Sequence, residues 1–357
     1  MNSSTQVFKI GTSNLEEVIR TAAAIIKNGG IVAFPTETVY GLGADALNPD
    51  AVSRIFKAKG RPLDNPLIVH IADQERLDVV ASDVPDSARS LMDAFWPGPL
   101  TMIFKRKDIV PDVTTCGLDT VATRMPDNPI ARELIKEAGT PIAAPSANIS
   151  GRPSPTIAEH VISDLSGRID AVIDGGAVRV GVESTVLDMT PDIPVLLRPG
   201  GISIDQIREY VGEVLVGYTD RPAGAGEAVR SPGMKYTHYS PETRLVLVMG
   251  NSSAVVDKIS ELAREYLDRN IRVGLLVTDE TAKTDEMAEY VSPDRVFLLG
   301  SRYDASAIAS NLFAGLRYLD MEDTDVIIAD GSMGIAGIGA AVLNRLKKAA
   351  DELIEVN

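Results

Sequence analysis

Apolar positions along this chain recur in two alternating rhythms, and the alternation predicts an α/β fold. Leu15, Val18, Ile19, Ala22, Ile25 and Ile26 repeat at helical spacing behind a Ser13 to Glu16 capping box. Gly29 and Gly30 should end that helix, and residues 31–34 (IVAF) follow as a buried strand. Asn48 and Pro49 predict the start of a second helix as N-cap and first-turn residue. Its apolar face is Val52, Ile55 and Phe56, which leaves Arg54 and Lys57 away from the core and Lys59 at a frayed end. Residues 67–71 read as a strand, residues 86–95 as a helix stopped by WPGP, and residues 100–104 as the next strand. Short strands are expected in TVATRM, PIAAPSAN, DAVIDGG, STVLDM and PVLLRPG, with helices near 130–137 and 157–165.

At residue 217 the rhythm stops. Residues 217–241 lack periodicity and are rich in Gly, Pro and Ala, the composition of a linker. They nevertheless hold Lys235, Tyr236, His238 and Tyr239, more chemistry than a spacer needs. The pattern restarts with LVLVM, RVGLLV, VFLLG and DVIIAD, four apolar strands among helical stretches, and a last helix over 338–353. The division expected is an α/β domain at 1–216, a linker or lid at 217–244, and a smaller Rossmann-like three-layer domain at 245–357.

Composition narrows the function. With 45% hydrophobic and 24% charged residues, the 357-residue chain is ordinary globular material. A net charge of −15 argues against tight nonspecific binding to nucleic acid. Yet Arg54, Lys57, Lys59 and Arg61 cluster in RIFKAKGR without an acid, which points to a small anionic ligand such as a phosphate chain. No apolar run reaches the ~18 residues of a membrane span, and MNSSTQVFKIG does not read as a secretion signal. The lone Cys116 fits a reducing, cytoplasmic setting and the role of a small apolar residue.

Several segments could carry chemistry. PTETVYGLG offers Thr36, Thr38 and Tyr40 hydroxyls beside a strand end, with Gly41 and Gly43 permitting close approach; ordinary turn residues are the plainer explanation. KAKGRPLDNPLIVH offers Lys59 and Arg61 for a polyphosphate and Asn65 for an amide contact. His70 sits in an apolar strand, where a core histidine is the default. PSANISGRPSPT places Ser146, Asn148, Ser150 and Ser154 in a loop after a buried strand. Thr120, Arg124, Ser184 and Arg198 lie in or beside strands, and a buried arginine needs an anionic partner, whether ligand or salt bridge. No HExxH, CxxC, GxSxG or GxxxxGK[ST] pattern is present, and GSMGIAGIG misses dinucleotide spacing in its first part.

Taken in order, PTETVYGLG, KAKGRPLDNPLIVH, FWPGPLT, VATRMP, APSAN, GVESTV and LLRPG resemble the YrdC-type threonylcarbamoyl-AMP synthase family over about residues 5–215. PGMKYTHYSP and GIGAAVLNRLKKAA resemble its long, two-domain branch. The resemblance implies a twisted mixed sheet with a concave cavity, and synthesis of threonylcarbamoyl-AMP and pyrophosphate from L-threonine, bicarbonate and ATP. It also implies Mg2+ arriving with ATP, no protein metal site, and a product passed to tRNA-modifying threonylcarbamoyl transferases. Carried over by motif, Thr38, His70, Arg124, Ala144 and Ser184 would contact threonine. Arg61, Asn65, Thr120, Ser146, Ser154, Arg198, Tyr236, His238 and Tyr239 would contact ATP. Lys59, Arg61, Ser146 and Asn148 would form the catalytic KxR and SxN signatures. Two alternatives are an RNA-binding module and a carbamoyl-phosphate-dependent carbamoyl transferase; the former lacks an aromatic-interleaved basic stripe, the latter its expected accessory segments.

Overall fold

The computed structural model describes residues 4–11, 14–218, 239–283 and 291–357. These divide into two compact units. The first holds the described residues up to 218 apart from 151–153; the second holds residues 239–283 and 291–357 together with the tripeptide 151–153.

Local chemistry sets the helices of the first unit. The helix Leu15–Lys27 is capped by the Asn14 side chain, which accepts from Glu16 N, so the cap falls one residue after the expected Ser13, which lies outside the described residues. Helix Pro49–Lys59 is capped by Asn48 as expected and ends at Gly60, whose φ of 63° suits glycine. Lys59 corrects the reading of a frayed end: it is 1% exposed, because its ammonium finds backbone acceptors inside the protein.

A 12-stranded mixed sheet forms the core of this unit. Its strands are β1 (Gln6–Lys9), β2 (Val32–Phe34), β3 (Gly41–Asp45), β4 (Ile68–His70), β5 (Ala81–Ser82) and β6 (Leu100–Arg106). They continue with β7 (Thr120–Arg124), β8 (Ile142–Ala143), β9 (Ala171–Asp174), β10 (Thr185–Asp188), β11 (Val195–Arg198) and β12 (Leu215–Val216). The order is β1-β9-β2-β3-β8-β4-β7-β6-β10-β11-β12, with β5 on β6. Strands β2 and β3 pair antiparallel, so PTETVYGLG begins as the loop of a hairpin and ends in its second strand. Tyr40 is fully buried there; its hydroxyl donates to Gly176 O (2.7 Å) and accepts from Gly175 N (3.2 Å), which commits it to the core rather than to a ligand.

The second unit is a five-stranded, all-parallel sheet of β13 (Arg244–Gly250), β14 (Val273–Val277), β15 (Val296–Leu298), β16 (Val326–Gly331) and β17 (Glu352–Val356), ordered β15-β14-β16-β13-β17. Burial on both faces explains the unbroken apolar runs of β13, β14 and β16, whereas β15, at one edge, is only partly covered. The last helix stops at Ala349, short of the expected 353, and the chain turns into β17 on the sheet edge. Its ELIEV alternation is a half-exposed strand pattern too short to stand out from a helix end.

Candidate active site

Strand register builds the centre of the first unit's site. His70 of β4 lies opposite Arg124 of β7, Arg124 opposite Thr101 of β6, Thr101 opposite Val186 of β10, and Val186 opposite Arg198 of β11. Partners in register share a face, so His70, Arg124, Thr101 and Arg198 form one rung at strand spacings of about 4.8 Å. Strands β4, β7 and β11 finish at this rung. The carboxyl ends of strands in open α/β sheets are where ligands bind.

Arg124 is 3% exposed. Its Nη1 donates to Thr38 Oγ1 (2.9 Å), its Nε donates to Gly98 O (3.2 Å), and its Nη2 stands 2.6 Å from Glu37 Oε1. The hairpin loop is fixed under it. Thr38 N donates to Thr36 Oγ1 (3.1 Å), Val180 N to Glu37 O (2.7 Å) and Gly181 N to Thr38 O (3.1 Å). His70 is buried beside this group, its Nδ1 3.2 Å from Ile68 O. Burial first, and the Arg124 charge second, pull its pKa down to about 3, so its ring is neutral at physiological pH. Ala144 is tied alongside through its N–H to Ile68 O (2.9 Å).

The rung continues to Ser184, whose Oγ is 2.8 Å from Thr101 Oγ1. Arg198 donates from Nη2 to Ser184 Oγ (3.2 Å) and from Nε to Ser184 O (3.1 Å). Ser154 Oγ donates to Glu183 Oε1 (2.5 Å), next to Ser184.

The KxR and SxN segments meet on a second flank. Lys59 Nζ donates to Ser146 O and Asn148 O, both at 2.5 Å. Ser146 also bridges Gly41 at the end of the hairpin loop. Arg61 donates from Nε to Asn65 O and from Nη2 to Pro66 O, each 2.9 Å, and buried Asn65 keeps an Oδ1 without a hydrogen-bond partner. Lys59 therefore braces the 145–148 loop rather than presenting a free ammonium.

The structure thus gathers Thr38, His70, Arg124, Ala144, Ser184 and Arg198 around one rung, with Ser154 beside them, and pairs Lys59 with Ser146 and Asn148. Thr120 opens β7 opposite Lys105, four residues and roughly 13 Å from Arg124. Tyr239 belongs to the second unit, where its ring packs 5.4 Å from Phe313 and under the Arg345 guanidinium. Tyr236 and His238 lie outside the described residues. Cys116 is half-buried and burial pushes its thiol up to about 11, away from nucleophilic chemistry. Glu37, Thr101 and Glu183 were not singled out from the sequence. The signal for Glu37 was present, an acid set among hydroxyls in an otherwise apolar segment. Among the described residues, no group of three or more His, Cys, Asp or Glu side chains could hold a metal ion, and no helix is long and apolar enough to cross a membrane.

Two buried arginines with hydroxyl partners at strand ends, and a neutral histidine beside the first of them, mark the candidate site of an α/β protein. A family profile described as "Telomere recombination", the Sua5/YciO/YrdC domain, matches residues 24–200. A second, described as "Threonylcarbamoyl-AMP synthase, C-terminal domain", matches residues 202–351. A Pyrococcus abyssi protein named threonylcarbamoyl-AMP synthase is 49% identical over 93% of this chain and 94% of its own length. One of the same name from Bacillus subtilis is 50% identical over 93% of this chain and 92% of its own. The crystal structure of P. abyssi Sua5 complexed with L-threonine matches with a TM-score of 0.92 at 46% identity, covering 99% of this chain and 100% of that one. The chain belongs to the threonylcarbamoyl-AMP synthase family, in the form that carries the additional C-terminal domain.

Proposed function

We propose that this chain condenses L-threonine, bicarbonate or CO2, and ATP into threonylcarbamoyl-AMP and pyrophosphate, acting as a nucleotidyltransferase. The observation that carries the reading is the rung itself, where Arg124, set by Thr38 and Gly98, lies in line with His70 and the Arg198–Ser184 pair. Arg124 and Thr38 take the threonine carboxylate, with His70, Ala144 and Ser184 around the rest of the amino acid. Arg61, Asn65, Ser146, Ser154 and Arg198 take the nucleotide, joined by Thr120 toward its far end. The neutral ring of His70 adds no charge of its own.

The chemistry asks for positioning and charge stabilisation rather than a protein nucleophile. Bicarbonate supplies CO2 by losing hydroxide; the threonine ammonium gives one proton to that hydroxide, its nitrogen bonds to the CO2 carbon, and a second proton passes to solvent, leaving a carbamate. A carbamate oxygen attacks the α-phosphorus, and pyrophosphate leaves as negative charge builds on it, where Arg61 and Arg198 oppose that charge. Lys59 serves by holding the Ser146–Asn148 loop in shape. ATP enters as its magnesium complex, the metal held by phosphates and water. The product passes to tRNA-modifying enzymes, and the lone cysteine accords with work in the cytoplasm.

The test is pyrophosphate release from MgATP by the purified full-length protein. Release that requires both threonine and bicarbonate is expected; release indifferent to threonine, or none, overturns the proposal.

A further inference from the structure

None of these roles uses the carboxylate of Glu37, the most anomalous group near the site. Its side chain is 2% exposed, yet neither oxygen receives a donor in hydrogen-bond geometry. The cation beside it is Arg124, with Nη2 2.6 Å from Glu37 Oε1. A carboxylate stripped of water and short of donors is costly, and such a group in a binding region signals a missing partner.

Charge summation decides what the pocket accepts. Arg124 alone would hold any carboxylate. With Glu37 beside it, the buried pair sums to zero, so a bare anion brings an uncompensated negative charge into a desolvated space. A ligand with a cation next to its carboxylate leaves the sum unchanged. His70, held neutral by burial, does not alter the count.

We infer that Glu37 determines the specificity of this pocket for a zwitterionic amino acid, facing the ligand's ammonium while Arg124 takes its carboxylate. The inference rests on the threonine reading of Arg124 and adds the residue that rejects acids lacking the amine.

Calorimetric titration of the full-length protein tests it with three ligands. These are L-threonine, (R)-3-hydroxybutanoate (the same acid without the amine) and L-threoninamide (the cation without the carboxylate). Wild-type protein should bind threonine at least tenfold more tightly than either analogue. In Glu37→Gln, the preference for threonine over 3-hydroxybutanoate should collapse at least tenfold, through weaker threonine binding and unchanged or tighter hydroxybutanoate binding. Glu37→Asp, which keeps the charge, should retain the preference. Glu37→Gln weakening both ligands equally would mean that Glu37 merely shapes Arg124, and an unchanged preference would remove it from recognition; either overturns the inference and leaves the proposed reaction standing. Should Glu37→Gln fail to bind a non-hydrolysable ATP analogue, and so have lost its fold, the wild-type titration still decides, because equal affinity for threonine and 3-hydroxybutanoate overturns the inference. A wild-type protein that ignores threonine altogether sinks the proposed function as well.

Discussion

Each unit buries an acid near the strand ends of its sheet, and the two acids differ in how they are satisfied. Asp330, at the end of β16, accepts from Thr278 N (3.2 Å), Thr278 Oγ1 (2.8 Å), Thr281 Oγ1 (2.6 Å) and Ser332 N (2.8 Å). Those hydrogen bonds outweigh burial and hold its carboxyl below the usual range. Glu37, in the first unit, has an arginine at ion-pair distance and no well-aligned donor. A carboxylate whose lone pairs are filled by its own fold is structural. One left short of donors beside an equally buried guanidinium belongs to a place where a ligand completes the network.

The sharpest way to break this contrast is Arg124→Ala. It strands Glu37 as a buried, unpaired charge, and the stability loss should be about 3–5 kcal/mol by denaturant titration, with threonine binding abolished. Replacing both residues by methionine should recover much of the stability and none of the binding, which separates fold from recognition. Next come the brace and the phosphate clamp. Lys59→Met leaves the Ser146 and Asn148 carbonyls without their buried donor, and Arg61→Ala removes the cation proposed to oppose the leaving pyrophosphate. Each should slow threonine-dependent pyrophosphate release by roughly 100-fold. In the second unit, Asp330→Asn should cost about 1–3 kcal/mol in a thermal melt while threonine titrates as in the wild type, since a filled network is lost and no ligand contact with it.

A smaller effect follows acidity. The folded pKa of His70, about 3, lies below its unfolded value of about 6.5, so the unfolded chain takes up the proton first. Stability is therefore full above that unfolded value and falls as pH drops toward 3, by at most about 1.4 kcal/mol per pH unit from this residue. Melts of wild type and His70→Gln between pH 7 and 4 should diverge, the variant losing less. Smallest of all is Arg54→Ala. Its exposed bridge to Asp170 (2.8 Å) should be worth under about 1 kcal/mol, and turnover should not change, although Arg54 sits in the same cation-rich run as Arg61.

That last pair shows how far the sequence could be read. Helical periodicity separated Arg54 and Lys57 from the core, because exposure on a helix face follows from spacing alone. It misplaced Lys59, because the ammonium's burial depends on two carbonyls almost ninety residues away, which no local pattern encodes. The alternation of strands and helices was legible from unbroken apolar runs, whereas β17 was hidden in five residues after a helix. The rung joining His70, Arg124 and Arg198 depends on pairing among strands far apart in sequence, so motif resemblance alone could nominate its members together. An acid beside two threonines is visible in the sequence, but it reads as turn chemistry, and only its burial in the fold marks Glu37 as more than that.

In the proposed reaction one strand-end site holds a zwitterionic amino acid against a nucleotide and joins them through bicarbonate carbon. The most direct measurement supplies carbon-labelled bicarbonate, L-threonine and MgATP to the full-length protein, and follows the label by rapid chromatography. Label is expected in an adenylate that also contains threonine, formed in step with pyrophosphate. AMP and pyrophosphate appearing without label in any adenylate, or label captured equally well when 3-hydroxybutanoate replaces threonine, would contradict it.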